Sequence, residues 1–132
     1  MLNIENRGAL EDIFGRWPSF HDAEVKRIFV INQDQSIASL EAEIIVFEMT
    51  SEMNSSGHFV LKNHTNVVLK FFDVTKEDLT PPYKEDILFA LEISEVPGEF
   101  PVEVELRSVM DQDIKFRCKS VRVMSAERIQ AE

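Results

Sequence analysis

Apolar and polar residues alternate along most of this chain of 132 residues, and this period of two predicts a protein built mainly from β-strands. The alternating runs are separated by short polar or proline-containing segments, as expected for turns. We predict strands at about residues 23–32, 37–49, 58–61, 65–74, 86–94, 100–109 and 113–124. The fifth of these alternates strictly from Ile87 to Ile93, which favours a strand, although its first half could also form a helix.

Two segments break the regular pattern. The inward positions of the last strand shift by one residue after Cys118, so we predict a β-bulge near Lys119 and Ser120. Residues 50–57 are polar and contain Ser-Ser-Gly, which predicts a mobile loop. The polar tail after Ser125 is predicted to be frayed or helical.

Helical spacing of apolar residues appears near the N-terminus, where Leu10, Ile13, Phe14 and Trp17 follow the i, i+3, i+4, i+7 pattern. Gly15 can end such a helix, and the following proline prevents its continuation. We therefore predict one short helix at about residues 9–14. A helix of this length is not stable alone, so its apolar stripe must pack on the strands.

These elements predict an α+β, mainly β, fold in a single domain covering residues 1–132. The expected architecture is an antiparallel sheet of six or seven strands, either bent or arranged as a sandwich, with the short N-terminal helix against it. A chain of this length can bury roughly two-thirds of its unfolded surface, so it needs neither a metal nor a disulfide to fold.

The net charge of −10 is unevenly distributed along the chain. Residues 77–105 carry 1 basic and 9 acidic side chains, giving −8, whereas residues 106–132 carry 6 basic and 4 acidic side chains, giving +2. This balance argues against nucleic acid as a partner and favours encounter with a basic protein. The same charge would also keep a protein soluble without any partner.

The cysteine content and the apolar runs indicate a cellular location. A single cysteine, Cys118, excludes an internal disulfide, which fits a reducing compartment. No apolar run is longer than five residues, far too few for a membrane helix, and the N-terminus has no leader pattern. We therefore predict a cytoplasmic protein without a membrane partner.

Residue types that carry catalysis or bind metals are present but poorly arranged. His21-Asp22 resembles the metal-binding pair of the HD phosphohydrolases, yet a strand follows it and no second pair exists. His21, His58 and His64 lack the close spacing of zinc ligands. Cys118 lies on the apolar face of a strand, which is typical of a buried structural thiol. We predict no catalytic residue, no metal site and no cofactor.

Acidic residues on strand faces are the candidates for contact with a partner. Exposed carboxylates of this kind are usually only solvated, but a binding patch is the main functional alternative. The partner-binding candidates are Glu41, Glu43, Glu92, Glu95, Glu103 and Glu105.

The segment between the helix and the first long strand is unusually rich in rare residue types. Trp17 and Phe20 flank Pro18, and His21 with Asp22 stands where the helical period changes to a strand period. We interpret these five residues as a structural corner. The two aromatic side chains would hold the helix on the sheet, and the histidine would hydrogen-bond buried backbone carbonyl groups.

The run Phe14-Gly15-Arg16-Trp17-Pro18-Ser19-Phe20-His21-Asp22-Ala23-Glu24-Val25 resembles the N-terminal signature of the immunity protein 50 family. Two further segments, residues 64–71 and 114–118, resemble that family's histidine-then-strand segment and its last strand. The resemblance implies a bacterial protein without enzymatic activity that binds and neutralises a cognate toxin of a polymorphic toxin system. Two alternatives stay open: a structural or oligomerising domain, which could include homo-oligomers, and, more distantly, a small metal-dependent hydrolase.

Overall fold

The computed structural model describes residues 2–34, 37–75, 86–110 and 112–129. Within these ranges the chain forms one short helix and eight strands. In chain order they are β1 (Ile4–Glu5), α1 (Gly8–Phe14), β2 (Glu24–Asp34), β3 (Ile37–Met53), β4 (Phe59–Thr75), β5 (Asp86–Glu95), β6 (Val102–Ser108), β7 (Ile114–Cys118) and β8 (Ser120–Arg128). The protein is therefore mainly β with one short helix.

All eight strands belong to a single sheet in the order β1-β8-β4-β3-β2-β5-β6-β7. The prediction of six or seven antiparallel strands is wrong in both number and direction, because β1 is an eighth strand that pairs parallel with β8. Two residues are too few to show a period, and the partner of Ile4 is Val121, far away in the chain. The side-chain amide of Asn6, a residue with φ of 58°, donates to the Val123 carbonyl at 2.9 Å and holds this edge.

Several strands differ in extent from the predicted ones because bulges let a strand continue where the pattern breaks. The predicted strands 58–61 and 65–74 form one long strand, β4. The predicted strand 113–124 divides into β7 and β8 at Lys119, whose N–H donates to the Phe72 carbonyl at 2.9 Å. The segment that could also have been helical is strand β5.

Two predicted irregular segments are strands instead. β3 continues through Thr50 to Met53, and β8 continues past Ser125 to Arg128. The extra residues of β8 pair with β4, where Arg128 lies opposite Thr65. Polar side chains at these positions indicate solvent exposure rather than loss of strand structure.

The sheet is bent, since β4 and β7 are in contact although four strands lie between them in the order. At the junction, β2 and β5 pair at only two positions, Glu24 with Ile87 and Val25 with Asp86. We call β1, β8, β4, β3 and β2 the wide half of the sheet, and β5, β6 and β7 the narrow half. The two halves close over one core, as the contact between buried Phe71 of β4 and buried Phe116 of β7 shows, with ring centroids 5.1 Å apart.

The core is built from the inward positions of both halves together with α1. Alternate residues of β3, β4 and β6 are buried, and Leu10 of α1 is completely buried beside them. The inward residues on these three strands include Ala38, Leu40, Ala42, Ile44, Val46, Val67, Leu69, Phe71, Val74, Val102, Val104 and Leu106. Among the residues that the structure describes, no helix is long and apolar enough to cross a membrane.

Candidate protein-interaction surfaces

The corner after α1 positions the two halves of the sheet. Gly15, in the left-handed region with φ of 79°, ends the helix by donating its N–H to the Glu11 carbonyl at 2.7 Å. Pro18 and Phe20 are buried, and the Phe20 ring lies 5.7 Å from the ring of Trp17. Trp17 itself is half-buried against the core, with the Arg7 guanidinium 5.7 Å from its ring centroid.

His21 and Asp22 connect this corner to β5. The Asp22 N–H donates to the Leu88 carbonyl at 2.9 Å, and Asp22 takes a positive φ of 66° to make this contact. His21 Nδ1 lies 2.8 Å from the Phe89 carbonyl oxygen. The histidine is exposed, so it contacts a carbonyl at the surface rather than a buried one as predicted.

A small cleft of about 220 Å³ lies beside the corner. Its lining combines four apolar residues with polar ones: Phe14, Pro18, Phe47 and Met49 with Arg16, Ser19, His21, Asp22 and Glu48. The volume is below the roughly 300–1,000 Å³ that is typical of small-molecule sites. In the described ranges, no group of three or more His, Cys, Asp or Glu residues could hold a metal ion.

Cys118 is buried at the end of β7, on the apolar face where the sequence places it. Its Sγ lies 3.6 Å from the Ser120 carbonyl oxygen. Burial raises the pKa of the thiol to about 12. The thiol is therefore held in its protonated form at neutral pH, as is typical of a buried structural cysteine.

A buried carboxylate that the sequence analysis missed joins β5 to the turn after β6. Asp86 accepts hydrogen bonds from the Ser108 hydroxyl, from the Ile87 N–H at 2.7 Å and from the Gln112 side-chain amide at 2.7 Å. Burial by itself raises the pKa of Asp86, but the hydrogen bonds outweigh it and the pKa is lowered overall. No local signal marks this residue, because its side-chain partners Ser108 and Gln112 lie more than twenty residues further along the chain.

The six acidic candidates do not form one patch. Glu41 and Glu43 lie on the outer face of the wide half, where Glu41 is opposite Phe29 on one side and Lys70 on the other. Glu95 is at the end of β5, opposite Val102 in the narrow half. The remaining three candidates, Glu92, Glu103 and Glu105, share the outer face of the narrow half.

Glu43 is held firmly in place. Its carboxylate accepts hydrogen bonds from the Asn66 side-chain amide at 2.9 Å and from Arg27 Nε at 2.8 Å. The hydrogen bond from Asn66 lowers its pKa most; partial burial opposes this effect, and Arg27 adds to it. This network ties together β2, β3 and β4, so we assign Glu43 to the support of the sheet.

The outer face of the narrow half carries alternating acidic and basic side chains, and we call it the charged face. Its residues are Glu92, Glu103, Glu105, Arg107, Lys115 and Arg117. Arg107 Nε lies 3.4 Å from Glu92 and 3.5 Å from Glu105. Glu103 lies 3.8 Å from Lys115 and 3.3 Å from Arg117.

The charged face has three carboxylates and three cations, so these six side chains have a formal net charge of zero. Antiparallel pairing of β6 with β7 places residues from the basic end of the chain beside residues from its acidic segment. The separation of charge along the sequence therefore becomes a mixture of charges in space. Because residue counts along a chain do not show cross-strand neighbours, the sequence could not reveal this.

A second surface, which we call the ribbon, overlaps the segment 50–57 that was predicted as a loop. It consists of residues 47–53 of β3 and residues 59–64 of β4. Its exposed side chains include Met49, Met53, Phe59 and Leu61. Met49 and Phe59 lie in segments predicted as strands, whereas Met53 lies in the segment that its serines and glycine predicted as a loop.

Searches of protein-family models, of curated proteins and of solved structures found no match for this chain.

Proposed function

We propose that this chain is a cytoplasmic, non-catalytic protein of the bacterial immunity type, which binds and neutralises a cognate toxin through the charged face. The resemblance of residues 14–25 to an immunity-protein signature supports the class of function. The net charge of −10 supports a basic partner, because it speeds the approach of a positively charged protein.

The observation that carries the proposal is the looseness of the ion pairs on the charged face. Their nitrogen-to-oxygen distances are 3.3–3.8 Å, compared with 2.8 Å between Arg27 and Glu43. Exposed pairs of this kind contribute roughly 0–1 kcal/mol each, so charges of a partner can replace them at little cost.

Strand pairing fixes the pattern of charges on the charged face. Glu92 lies directly opposite Glu105 on the neighbouring strand, and Lys115 lies opposite Glu105 on the other side. Arg107 contacts both glutamates and relieves their repulsion. A toxin surface with the complementary arrangement would fit in one register, which gives specificity more than raw affinity.

Calorimetric titration with the inactivated toxin domain encoded beside this gene tests the proposal. We expect the double substitution Glu103→Lys and Glu105→Lys to weaken binding at least about tenfold and to change its salt dependence. Glu41→Lys is the matched control, because it reverses one carboxylate on the outer face of the wide half and should leave binding unchanged.

Two results would contradict this proposal. If the double substitution binds as tightly as the parent protein, the charged face is not the binding surface. If the parent protein neither binds the neighbouring toxin nor protects cells that express it, or if no toxin gene lies beside this one, the immunity role itself is wrong.

A further inference from the structure

A groove of about 580 Å³ lies between β5 and the N-terminal part of the chain. Residues 91–94 of β5 line one side, and Leu2, Ile4, Arg7 and Trp17 line the other. The groove shares no lining residue with the small cleft beside the corner. Its volume lies within the roughly 300–1,000 Å³ that is typical of binding sites.

Strand β5 turns one backbone edge toward this groove. Its other edge is paired with β6 throughout residues 91–94. On the groove side, the backbone hydrogen bonds of β5 to the corner end at Leu88, which bonds to Ala23 and Asp22. In the described part of the chain, no strand pairs with residues 91–94 on that side. Because backbone groups alternate in direction along an antiparallel strand, two of these four residues point N–H and carbonyl groups away from β6.

The groove has room for one added strand. Four residues of an extended chain span about 13 Å; neighbouring strands are about 4.8 Å apart and stacked sheets about 10 Å apart. A strand of this length therefore fills roughly 600 Å³, close to the volume of the groove. An extended peptide matches both the size and the open backbone groups of the site, in the way that peptides add a strand to an exposed sheet edge.

The inner face of such a strand requires apolar side chains. Leu91 and Ile93 are half-buried and pack against the core. On β6 they lie opposite Leu106 and Val104, which are buried. Trp17 is half-buried on the other side of the groove. Side chains that enter between these residues therefore meet aliphatic and aromatic surface.

The outer face requires a basic side chain beside Glu92. From β7 to β5, the cross-strand row that contains Glu92 consists of Lys115, Glu105 and Glu92. Opposite charges are neighbours between β7 and β6, whereas two carboxylates are neighbours between β6 and β5. Like charges directly opposite each other destabilise a sheet, and Arg107 relieves their repulsion through loose contacts of 3.4 and 3.5 Å. A basic side chain on an added strand would give Glu92 a second cationic neighbour.

We infer that the groove binds an extended segment of a partner protein, in which a basic residue is flanked by apolar residues, as a strand paired with residues 91–94. The basic side chain lies beside Glu92, and the apolar ones lie between β5 and Trp17. Arg7 already lies 3.3 Å from Glu11, so the net charge of −10 attracts the segment. This site goes beyond the proposed function, since it pairs backbone groups and requires no toxin.

Fluorescence titration of the full chain tests the inference, because Trp17 is the only tryptophan and lines the groove. The probe is a capped peptide of sequence Val-Lys-Val-Lys-Val-Lys-Val, and we expect a Kd on the order of 10–100 μM. N-methylation of its backbone nitrogens keeps every side chain and charge but removes the donors, so binding should weaken more than about tenfold. The same peptide with glutamate in place of lysine should not bind at about 1 mM.

A charge reversal in the protein tests the same contact from the other side. Glu92→Lys should weaken binding of the valine–lysine peptide at least about tenfold, since it places like charges on neighbouring strands. Glu41→Lys is the matched control, because it reverses a carboxylate on the outer face of the wide half and should bind the peptide like the parent protein.

Amide hydrogen exchange of the unaltered protein locates the bound peptide without any variant. Two alternating amides among residues 91–94 should exchange more slowly when the peptide is bound, with no such change on the ribbon. Failure of the valine–lysine peptide to bind at about 1 mM, equal binding of the N-methylated peptide, or protection confined to another surface would each overturn the inference.

Discussion

The charged face and the ribbon are both β surfaces with alternating side chains, yet their physical characters are opposite. On the charged face three strands are paired side by side, and each carboxylate of Glu92, Glu103 and Glu105 has a cation within 3.8 Å. On the ribbon, two strands run past their neighbours and expose large apolar side chains. The carboxylates of the charged face are paired with cations of the same face, whereas the apolar side chains of the ribbon are exposed.

This difference shows that alternation alone does not determine what a strand surface does. The number of neighbouring strands and the chemistry of the residues opposite each position decide it. A surface whose charges already form ion pairs selects a partner by the arrangement of those charges. An exposed apolar surface favours contact with another apolar surface.

The largest expected loss of stability comes from a substitution in the core that joins the two halves of the sheet. Phe71→Ala takes away a fully buried ring that contacts Phe116 across the two halves of the sheet, and it should cost about 3–5 kcal/mol of unfolding free energy. Urea denaturation measures this cost. Phe29→Ala, at an exposed ring on β2, is the control; an equal loss in both variants would contradict the assigned core.

A smaller effect is expected at Asp86, which supports the junction between β5 and the charged face. Asp86→Ala leaves the Ser108 hydroxyl and the Gln112 amide without their acceptor, and it should cost about 1–3 kcal/mol in urea denaturation at neutral pH.

Asp86 also predicts the direction in which folding stability changes with pH. Because the pKa of Asp86 is lowered by folding, its ionised form contributes stability at pH values above its ordinary pKa, and that contribution is lost as the pH falls through the lowered value. The stability difference between the parent protein and Asp86→Asn should therefore shrink between about pH 7 and about pH 2. A difference that stays constant over this range would contradict the assignment.

A still smaller loss of stability is expected when a cation is removed from the charged face. Arg107→Ala removes the cation shared by Glu92 and Glu105 and should cost less than about 1 kcal/mol of unfolding free energy, because Arg107 and Glu92 are exposed and Glu105 is only partly buried. Arg27→Ala is a useful comparison, since its bond to Glu43 is shorter and part of a network. We expect the larger loss for Arg27; the reverse order would show that the charged face is structural and not open to exchange.

The smallest effect on folding is expected on the ribbon. Met53→Ser exchanges an exposed apolar side chain for a small polar one and should change the unfolding free energy of the monomer by no more than about 0.5 kcal/mol. Thermal denaturation measures this change. A loss above about 2 kcal/mol would mean that the ribbon packs against its own chain, since only core-like contacts cost so much.

Much of the fold could be predicted from local pattern. The alternation from Val102 to Ser108 marks β6 correctly, because one face of that strand is buried and the other faces solvent. The short helix was also predictable, since its apolar spacing and Gly15 are local signals. The parallel edge strand β1 was not, because its existence depends on β8 at the other end of the chain.

The surfaces were less predictable than the fold. Six glutamates on strand faces were predicted as partner-binding candidates, but strand pairing separates them and places Arg107, Lys115 and Arg117 beside three of them. Residues 50–57 looked like a loop, but cross-strand pairing extends β3 to Met53. In both cases the decisive contacts join residues that are distant in the sequence or lie on different strands.

The central claim is that the charged face, and not the ribbon, binds the toxin. The most direct test titrates the inactivated neighbouring toxin domain against three proteins: the parent, Glu103→Lys with Glu105→Lys, and Met53→Ser with Phe59→Ser. We predict at least about tenfold weaker binding for the charge variant and unchanged binding for the ribbon variant. Weakened binding in the ribbon variant together with full affinity in the charge variant would contradict the account.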